Sequence, residues 1–418
     1  MYKETEIGLI PEDWDIKAVE DVALINESSI KKDFKLELIE YIDIASVDKG
    51  MINDKQLIKL DEAPTRARRV VKDNDILIST VRPNLKHYTF INSAKSNTIA
   101  STGFAVISAL NINPKFLYYY LTTDKYTEYL TAIADSHTSA YPSFNPDIIE
   151  KSFVPFPSMD EQNSIAKVLS DLDQKIEVNH QMNQNLEKIG QTIFRHWFVH
   201  FEFPDENGQP YKSSSGEMVD SELGEIPVGW KVGTLDEISE NFDSKRVPLS
   251  NKERESRKGK YPYYGAASIM DYIDDYLFDG IYILLSEDGS NVVDAEGKPL
   301  LQYVWGKFWV NNHAHILKGK KGFPEEYIYL LLKNSNMNHL VTGAAQPKIN
   351  QKNMNSLKII IPDLKTLELF SNILNPIFAK YRISSEENNI LSPLRDSLLP
   401  KLMSGKIRLN VPEEAIAK

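Results

Sequence analysis

The feature that most restricts the fold of this chain is that it repeats itself. The nonapeptide EIGLIPEDW (6–14) returns as ELGEIPVGW (222–230), so Glu6, Gly8, Ile10, Pro11 and Trp14 recur as Glu222, Gly224, Ile226, Pro227 and Trp230, each 216 positions on. A second pair, YPSFNPDIIEKSFVPFP (141–157) and QPKINQKNMNSLKIIIP (346–362), repeats at an offset of 205, matching Pro142 to Pro347, Asn145 to Asn350 and Pro157 to Pro362. The same offset carries Ile165, Val168, Leu169, Leu172, Leu186, Ile189, Ile193 and Trp197 onto Phe370, Ile373, Leu374, Ile377, Leu391, Leu394, Leu398 and Leu402. A register kept over that many apolar positions is an internal duplication, which sets the architecture before any local reading. The fall in offset from 216 to 205 makes the front half of the second copy 11 residues shorter, while the rear halves are equal in length.

The invariant rear half reads as a long helix. Ile165, Leu172, Asn179, Leu186 and Ile193 are spaced by sevens, and Val168/Leu169, Ile176, Met182 and Ile189 fill the complementary seam, which is the a/d pattern of a coiled coil. Asp160 is the expected N-cap, with Asn163 rather than Glu three residues on, so only half a capping box is present. Some 40 residues at about 1.5 Å each make a rod of about 60 Å. Each stripe needs a mate, and the mate is the 366–404 stretch. Packing is assigned to Ile165, Leu169, Leu172, Ile176, Leu186, Ile189 and Ile193 on the first helix. On the second it falls to Phe370, Leu374, Ile377, Leu391, Leu394 and Leu398. An ordinary core helix in a compact bundle is the competing reading; length, Asn179 and Asn183 in the seam, and the duplication favour the coiled coil. Pro376, Pro393 and Pro400 each remove a helical hydrogen bond and predict kinks or breaks in the second copy.

The variable front halves differ in kind. NDILIST (74–80), FAVIS (104–108), IYILLS (281–286) and FWVNNHAHIL (308–317) are short apolar runs bounded by Asn, Asp, Gly and Pro, the pattern of strands and turns. Two helical patches, 114–130 and 324–340, open on Pro at equivalent places. Each front half is thus an α/β globule of about 150 residues, and the polar FPDENGQPYKSSSGEMVDS (203–221) reads as a linker. The boundaries are a first domain at 1–158, a helical spacer at 159–202, the linker, a second domain at 222–364 and a second spacer at 365–418. The class is α/β (α+β), with two globular domains separated by two long antiparallel coiled-coil helices in a pseudo-twofold repeat.

Composition narrows the setting. The chain of 418 residues is 42% hydrophobic and 26% charged, the balance of a soluble globular protein. It has no cysteine, which excludes disulfides and thiolate metal sites and fits a reducing cytoplasm. No apolar run reaches the roughly 20 residues of a membrane span, and no signal-peptide profile opens the chain. The net charge of −11 argues against a uniformly basic nucleic-acid binder, so any contact with DNA must come from local basic patches.

Taken together, GEIPVGW, QPKIN, EQNSIAKVLSDLDQKIE, IFRHWFVHFEFP and LRDSLLPKLMSGKI resemble the specificity subunit of type I restriction–modification systems, over essentially the whole chain. The resemblance implies two target-recognition domains, each reading half of a bipartite double-stranded DNA site. It implies helical regions, here Asp160–Phe198 and Leu367–Met403, that pair antiparallel and dock two methyltransferase (modification) subunits, joined by a restriction subunit that translocates with ATP. S-adenosylmethionine, ATP and Mg2+ would belong to those partners, and this chain would hold no cofactor, metal or catalytic residue. The duplication supports the same picture independently: a pseudo-twofold object suits a pseudo-symmetric target with a fixed gap. A rod of about 50–60 Å covers on the order of 15 base pairs at about 3.4 Å each.

Candidate DNA contacts follow from charge. TRARRVVK supplies Arg66, Arg68, Arg69 and Lys72; STVRPNLKHY adds Arg82 and Lys86 after a strand. KRVPLSNKERESRKGK supplies Lys245, Arg246, Lys252, Arg254, Arg257, Lys258 and Lys260. The paired loops SHTSAYPSFN and TGAAQPKIN offer His137, Tyr141, Gln346 and Lys348. Lys and Arg neutralise phosphates, and Arg also grips guanine bidentately; a solvated loop is the bland alternative for any one residue, as a shared turn is for the paired loops. The tyrosines of YPYYGAASIMDYIDDYLF suit a β core better than base stacking. The rival classes fare worse. There is no Gly-rich cofactor loop with an Asn-Pro-Pro-aromatic tetrapeptide and no GxxxxGK[ST] cradle. His313 and His315 lack a carboxylate at ligand spacing and read as packed or hydrogen-bonded. A coiled-coil scaffold or adaptor without sequence-specific DNA binding is the remaining alternative.

Overall fold

The computed structural model describes residues 1–31, 36–137, 141–289, 292–343 and 346–409; of His137 it describes the backbone alone. The chain divides into two compact units, Met1–Glu177 with Asn388–Lys418, and Val178–Glu387. Each unit contains one globule and one antiparallel pair of half-helices, because each long helix, Met159–Phe198 and Leu364–Met403, contributes to both.

The repeated nonapeptide builds the same device in each unit. Gly8 and Gly224 take positive φ (103° and 95°), a backbone that glycine adopts without steric cost. Tyr2–Thr5 pairs with Gly8–Pro11, and Met218–Val219 with Ile226–Pro227. The Trp14 and Trp230 N–H groups each close a turn onto the proline carbonyl three residues back, at 3.1 Å. Each indole N–H then reaches the start of the long helix that follows its globule: Trp14 Nε1 donates to Glu161 Oε2 and Trp230 Nε1 to Asp363 Oδ2, both at 2.9 Å. Asp363 also caps its helix by accepting from the Thr366 N–H at 2.9 Å. In the first helix the N-cap is Ser158, not Asp160. Its Oγ accepts from the Glu161 N–H at 3.3 Å, and the Glu161 carboxylate, which could close a capping box, is instead taken by Trp14 and Arg408.

The two globules share one topology. In each, a four-stranded antiparallel sheet runs in the same order: Tyr88–Phe90, Ile76–Ser79, Phe104–Ala109, Ala23–Ile25 in the first, and Leu301–Val304, Tyr282–Ser286, Ala314–Gly319, Ser239–Asn241 in the second. A second four-stranded sheet contains one parallel pair in each unit, Thr98–Ser101 with Leu38–Ile42 and Lys307–Val310 with Lys258–Tyr264. A two-stranded ribbon leads into each long helix in identical register, Asp15 opposite Phe156 and Lys231 opposite Ile361. The apolar run 308–317 is two strands rather than one, because Asn311 to His313 turn between Val310 and Ala314. The 203–221 stretch is packed onto the second globule: the Phe203 ring stacks on Trp230 (4.9 Å) and on Tyr211 (4.6 Å).

Within the first unit, Ile165, Ala166 and Leu169 share a core with Leu402 and Met403, and the Ile176 carbonyl accepts from Asn388 Nδ2 at 3.1 Å. Within the second, Asn179 Nδ2 donates to Glu387 (2.9 Å) and Asn183 Nδ2 to Ser385 Oγ (2.8 Å), while Phe194, Trp197 and Phe198 pack on Phe370. The seam follows Leu169, Ile176, Asn183, Gly190 and Trp197 by sevens, so Ile189 is a correction: it is 46% exposed. Gly190 occupies the knob position, where a Cβ would stand 3.3 Å from the Phe378 ring, and Ile189 lies about 100° away round the helix. Its repeat mate Leu394 is likewise off the seam and 43% exposed, with Arg395 in the seam position bonded to Asp173 at 2.8 Å. Of the kinks or breaks expected at Pro376, Pro393 and Pro400, no break occurs; Leu364–Met403 is one helix of 40 residues. All three prolines are exposed, as are Asn372, Asn389 and Asp396 four residues before them. The carbonyls that lose a partner can therefore bond water, the usual compensation for a proline inside a helix.

Candidate nucleic-acid interface

The repeat identifies one edge of each globule where chemistry could be displayed. In the first, the strand Ile76–Ser79 runs out into Thr80–Lys86, and Val81 bridges Ser143. Thr80 donates its N–H to the Gly103 carbonyl (2.8 Å) and its carbonyl accepts from Phe144 (3.0 Å). In the second, Glu287 occupies the same knot, donating to the His313 carbonyl (2.9 Å) and accepting from Ile349 (2.9 Å), while Asp288 bridges Lys348. The backbone frame is common to both. The side chains hung on it are not.

On the first edge, Arg82 and Tyr141 are exposed, and the guanidinium lies over the tyrosine ring at 5.0 Å from its centroid. Arg82 and Lys86 both hold left-handed backbone, φ 48° and 58°, at a cost of order 1 kcal/mol or more each for a side chain other than glycine. Lys86 bonds Asp124 at 2.5 Å. The Thr102–Gly103 turn ties Arg66 to the same edge, since Thr102 N–H donates to the Arg66 carbonyl (2.7 Å); the Arg66 side chain reaches the Tyr41 hydroxyl (3.2 Å). The rest of that cluster is engaged elsewhere on its sheet: Arg68 with the Thr65 carbonyl, Arg69 with Ser29, and Lys72 in an ion pair with Glu27 (2.7 Å). The side chain of His137 lies outside the described residues.

On the second edge the charges turn inward. Arg246 pairs with Glu287 (2.6 Å) and Asp243 (3.5 Å) and donates to the Ala314 carbonyl (2.8 Å), with its side chain 15% exposed. Lys348 pairs with Glu287 at 2.8 Å, and Gln346 is exposed beside it. His315, almost wholly buried, presents Nδ1 to Asp243 (2.5 Å) and Nε2 to the Ile349 carbonyl (2.8 Å), while His313 bonds Asp288 (2.7 Å). Burial opposes the ionised forms of Asp243 and Glu287, yet the bonds and charges of His315, Arg246 and Lys348 hold both carboxyls below their ordinary values. The Lys252–Lys260 cluster is not part of this edge. Strand Lys258–Tyr264 meets the Asn311 turn only at its far end, through Tyr264, so Lys258 stands about 20 Å away along the strand. There Arg254 and Lys258 pair with Asp271, Arg257 pairs with Asp274 and lies over Trp309, Lys260 lies over Tyr261 and Lys252 is exposed. Lys245 lies over Phe242.

Ligand atoms of Asp243, Glu287 and His315 come within 4.8 Å of one another, so carboxylates distant in sequence do meet the histidine. The set suits a salt-bridge network better than a divalent cation. Two cations already face the carboxylates, and both ring nitrogens of His315 are turned to protein oxygens. Sequence reasoning missed this network, as it missed the Trp–carboxylate bonds. The signal for the latter was present in the spacing of Ser158 and Glu161 and in Asp363 just ahead of the second helix.

Among the described residues no helix is long and apolar enough to cross a membrane. Residues 11–188 and 227–392 match the type I restriction modification DNA specificity domain. The chain is 27% identical to the MjaIX specificity subunit of Methanocaldococcus jannaschii, over 98% of this chain and 96% of that protein. It is 25% identical to the HindI specificity subunit of Haemophilus influenzae, over 88% and 95%. Its fold is similar to the crystal structure of a type I restriction–modification S subunit from M. genitalium, with TM-score 0.57 and 17% identity over 96% and 97% of the two chains.

Proposed function

Since the chain belongs to the type I restriction–modification DNA specificity family, we infer that it is the non-catalytic specificity subunit of such a complex, each globule reading one half of a bipartite, asymmetric duplex target. The observation that carries this reading is the pair of equivalent edges. One backbone frame is used twice with unlike side chains, Thr80, Arg82 and Tyr141 in one and Glu287, Gln346 and Lys348 in the other. Like frames suit like engagement of duplex DNA, and unlike side chains suit different base sequences.

The helices supply the second part of the reading. Exposed apolar residues recur at the repeat offset: Met159 and Leu364 (46% and 64% exposed), Val178 and Ile383 (51% and 58%), Ile189 and Leu394 (46% and 43%). Folding gains little from leaving such side chains in water at matched positions, whereas a docking face used twice by the same kind of partner accounts for them. Those partners are two methyltransferase subunits, with restriction/translocase subunits joining the assembly. S-adenosylmethionine, ATP and Mg2+ belong to the partners, and the setting is the cytoplasm, where the DNA is. The test is a gel shift on random duplexes, with and without the methyltransferase subunits, followed by modification-sensitive sequencing. A two-part motif that disappears when this chain is omitted supports the reading, and sequence-independent binding by the full complex returns the chain to a scaffold.

A further inference from the structure

We propose that Arg66, steered by the hydroxyl of the buried Tyr41, reads a guanine in the half-site of the first globule. This rests on the reading of that edge as a DNA interface and adds the base selected there. Arg66 is exposed, and among the described residues its side chain makes one hydrogen bond, from Nε to the Tyr41 hydroxyl at 3.2 Å, and no ion pair. Elsewhere in the molecule Arg246, Arg254, Arg257, Arg382, Arg395 and Arg408 are each paired with a carboxylate. A carboxylate occupies both the charge and the fork of an arginine. A phenol hydroxyl accepting at Nε occupies neither: it fixes the direction of the planar group and leaves the N–H bonds of Nη1 and Nη2 for another acceptor. Those two nitrogens form the fork that meets O6 and N7 of guanine in the major groove.

Both ends of that contact are rooted in the fold. Tyr41 is 1% exposed and packs with Ile39, Ala67 and Ile99, so close packing holds its hydroxyl in place. Arg66 sits in a turn closed by the Ala67 N–H on the Pro64 carbonyl at 2.8 Å, and its own carbonyl accepts from the Thr102 N–H at 2.7 Å. The next residue, Gly103, accepts from the Thr80 N–H at 2.8 Å, which puts Arg66 beside the backbone knot that the second globule repeats at Glu287. Its neighbours Arg68 and Arg69 are carried off, because Ala67–Val70 runs antiparallel to Thr98–Ser101 and so away from the edge. A side chain preorganised on a core-anchored partner is what base reading requires. In the second globule the corresponding strand, Phe278–Asp279, follows Leu277, so guanine selection of this kind belongs to the first globule alone.

The experiment is single-molecule methylome sequencing of cells that express this chain with its modification subunits, using wild type, Arg66→Lys and Tyr41→Phe. Lysine keeps the charge without the fork, and phenylalanine keeps the buried ring without the tether. The expected result is that Arg66→Lys accepts any base at one former guanine position, with discrimination there falling roughly 5- to 150-fold. Tyr41→Phe should relax the same position to a smaller extent, and every other position of both half-sites should be unchanged. A motif intact in either variant, relaxation at a different position, or a uniform loss of methylation with no change of motif, as a phosphate contact would give, would overturn the proposal. Replacing Thr80–Lys86 by an unrelated loop, in a chain that still co-purifies with the modification subunits, separates the two levels. If that exchange alters one half-site while Arg66→Lys does not, or if the half-site it alters holds no G·C pair, the edge reads DNA but Arg66 does not select guanine. If neither alters the motif, the edge itself is misassigned.

Discussion

Asn183 offers a counterintuitive test of how the helical seam is built. It is 9% exposed, its Nδ2 donates to Ser385 Oγ at 2.8 Å, and its Oδ1 is buried with no hydrogen-bond partner. A buried acceptor left unpaired costs about 1–3 kcal/mol, against about 1 kcal/mol for the one neutral hydrogen bond. Asn183→Leu removes both and buries an apolar side chain of similar size, a further gain of about 1.5–3 kcal/mol before any loss from imperfect fit. The net expectation is stabilisation of the second unit by about 1–3 kcal/mol. Four of the five tryptophans, Trp197, Trp230, Trp305 and Trp309, lie in that unit, so the midpoint of a urea titration followed by tryptophan fluorescence reports it. Because two units make a single two-state fit unsafe, the comparison is of midpoints at unchanged slope. A midpoint lowered by Asn183→Leu would refute the reasoning and show that the asparagine oxygen is satisfied in solution. The native asparagine is then explained by specificity: a polar residue in a coiled-coil seam fixes register at some expense in stability.

Other outcomes follow from the same structure. Asp243 and Glu287 sit below their ordinary values of 3.8 and 4.5. Their contribution to stability is complete above those values and drains as pH falls through the lower folded ones. Urea midpoints of the second unit should therefore drop on acidification below about pH 4.5, and Glu287→Gln should flatten that fall; equal slopes would rule out the network as its source. Trp14→Phe removes a buried hydrogen bond to a carboxylate and should destabilise the first unit by about 2–3 kcal/mol in thermal melts followed by circular dichroism; a change under about 0.5 kcal/mol would contradict the role given to the Glu161 bond. Ile189→Ser with Leu394→Ser should leave stability within about 0.5 kcal/mol per site while weakening co-purification of the modification subunits; undiminished co-purification would place docking elsewhere.

Much of this fold was legible because duplication is a long-range signal that does not depend on local propensity. The paired offsets identified two like globules and two like helices, and the Pro-x-x-Asn segments did mark equivalent loops. What failed did so for specific reasons. Assigning Ile189 and Leu394 to the seam assumed that apolar residues define it, but the knob positions are Gly190 and Arg395, chosen for a close approach to Phe378 and a bond to Asp173. The prolines were read as kinks or breaks without knowing that the residues four positions earlier would be exposed. At the candidate interface a basic run does not show which cations are already paired. Nothing in the sequence brings Glu287 to Arg246 or Asp271 to Arg254; only the fold does.

The most direct test of whether the long helices set the spacing of two unlike readers is the length of the unread gap in the methylated motif after both helices are extended. Inserting seven residues into each preserves the seam and adds about 10 Å, which corresponds to roughly three base pairs. The expected result is the same two half-sites with a gap about three base pairs longer; the same half-sites at the original gap would contradict a spacer made of the helices.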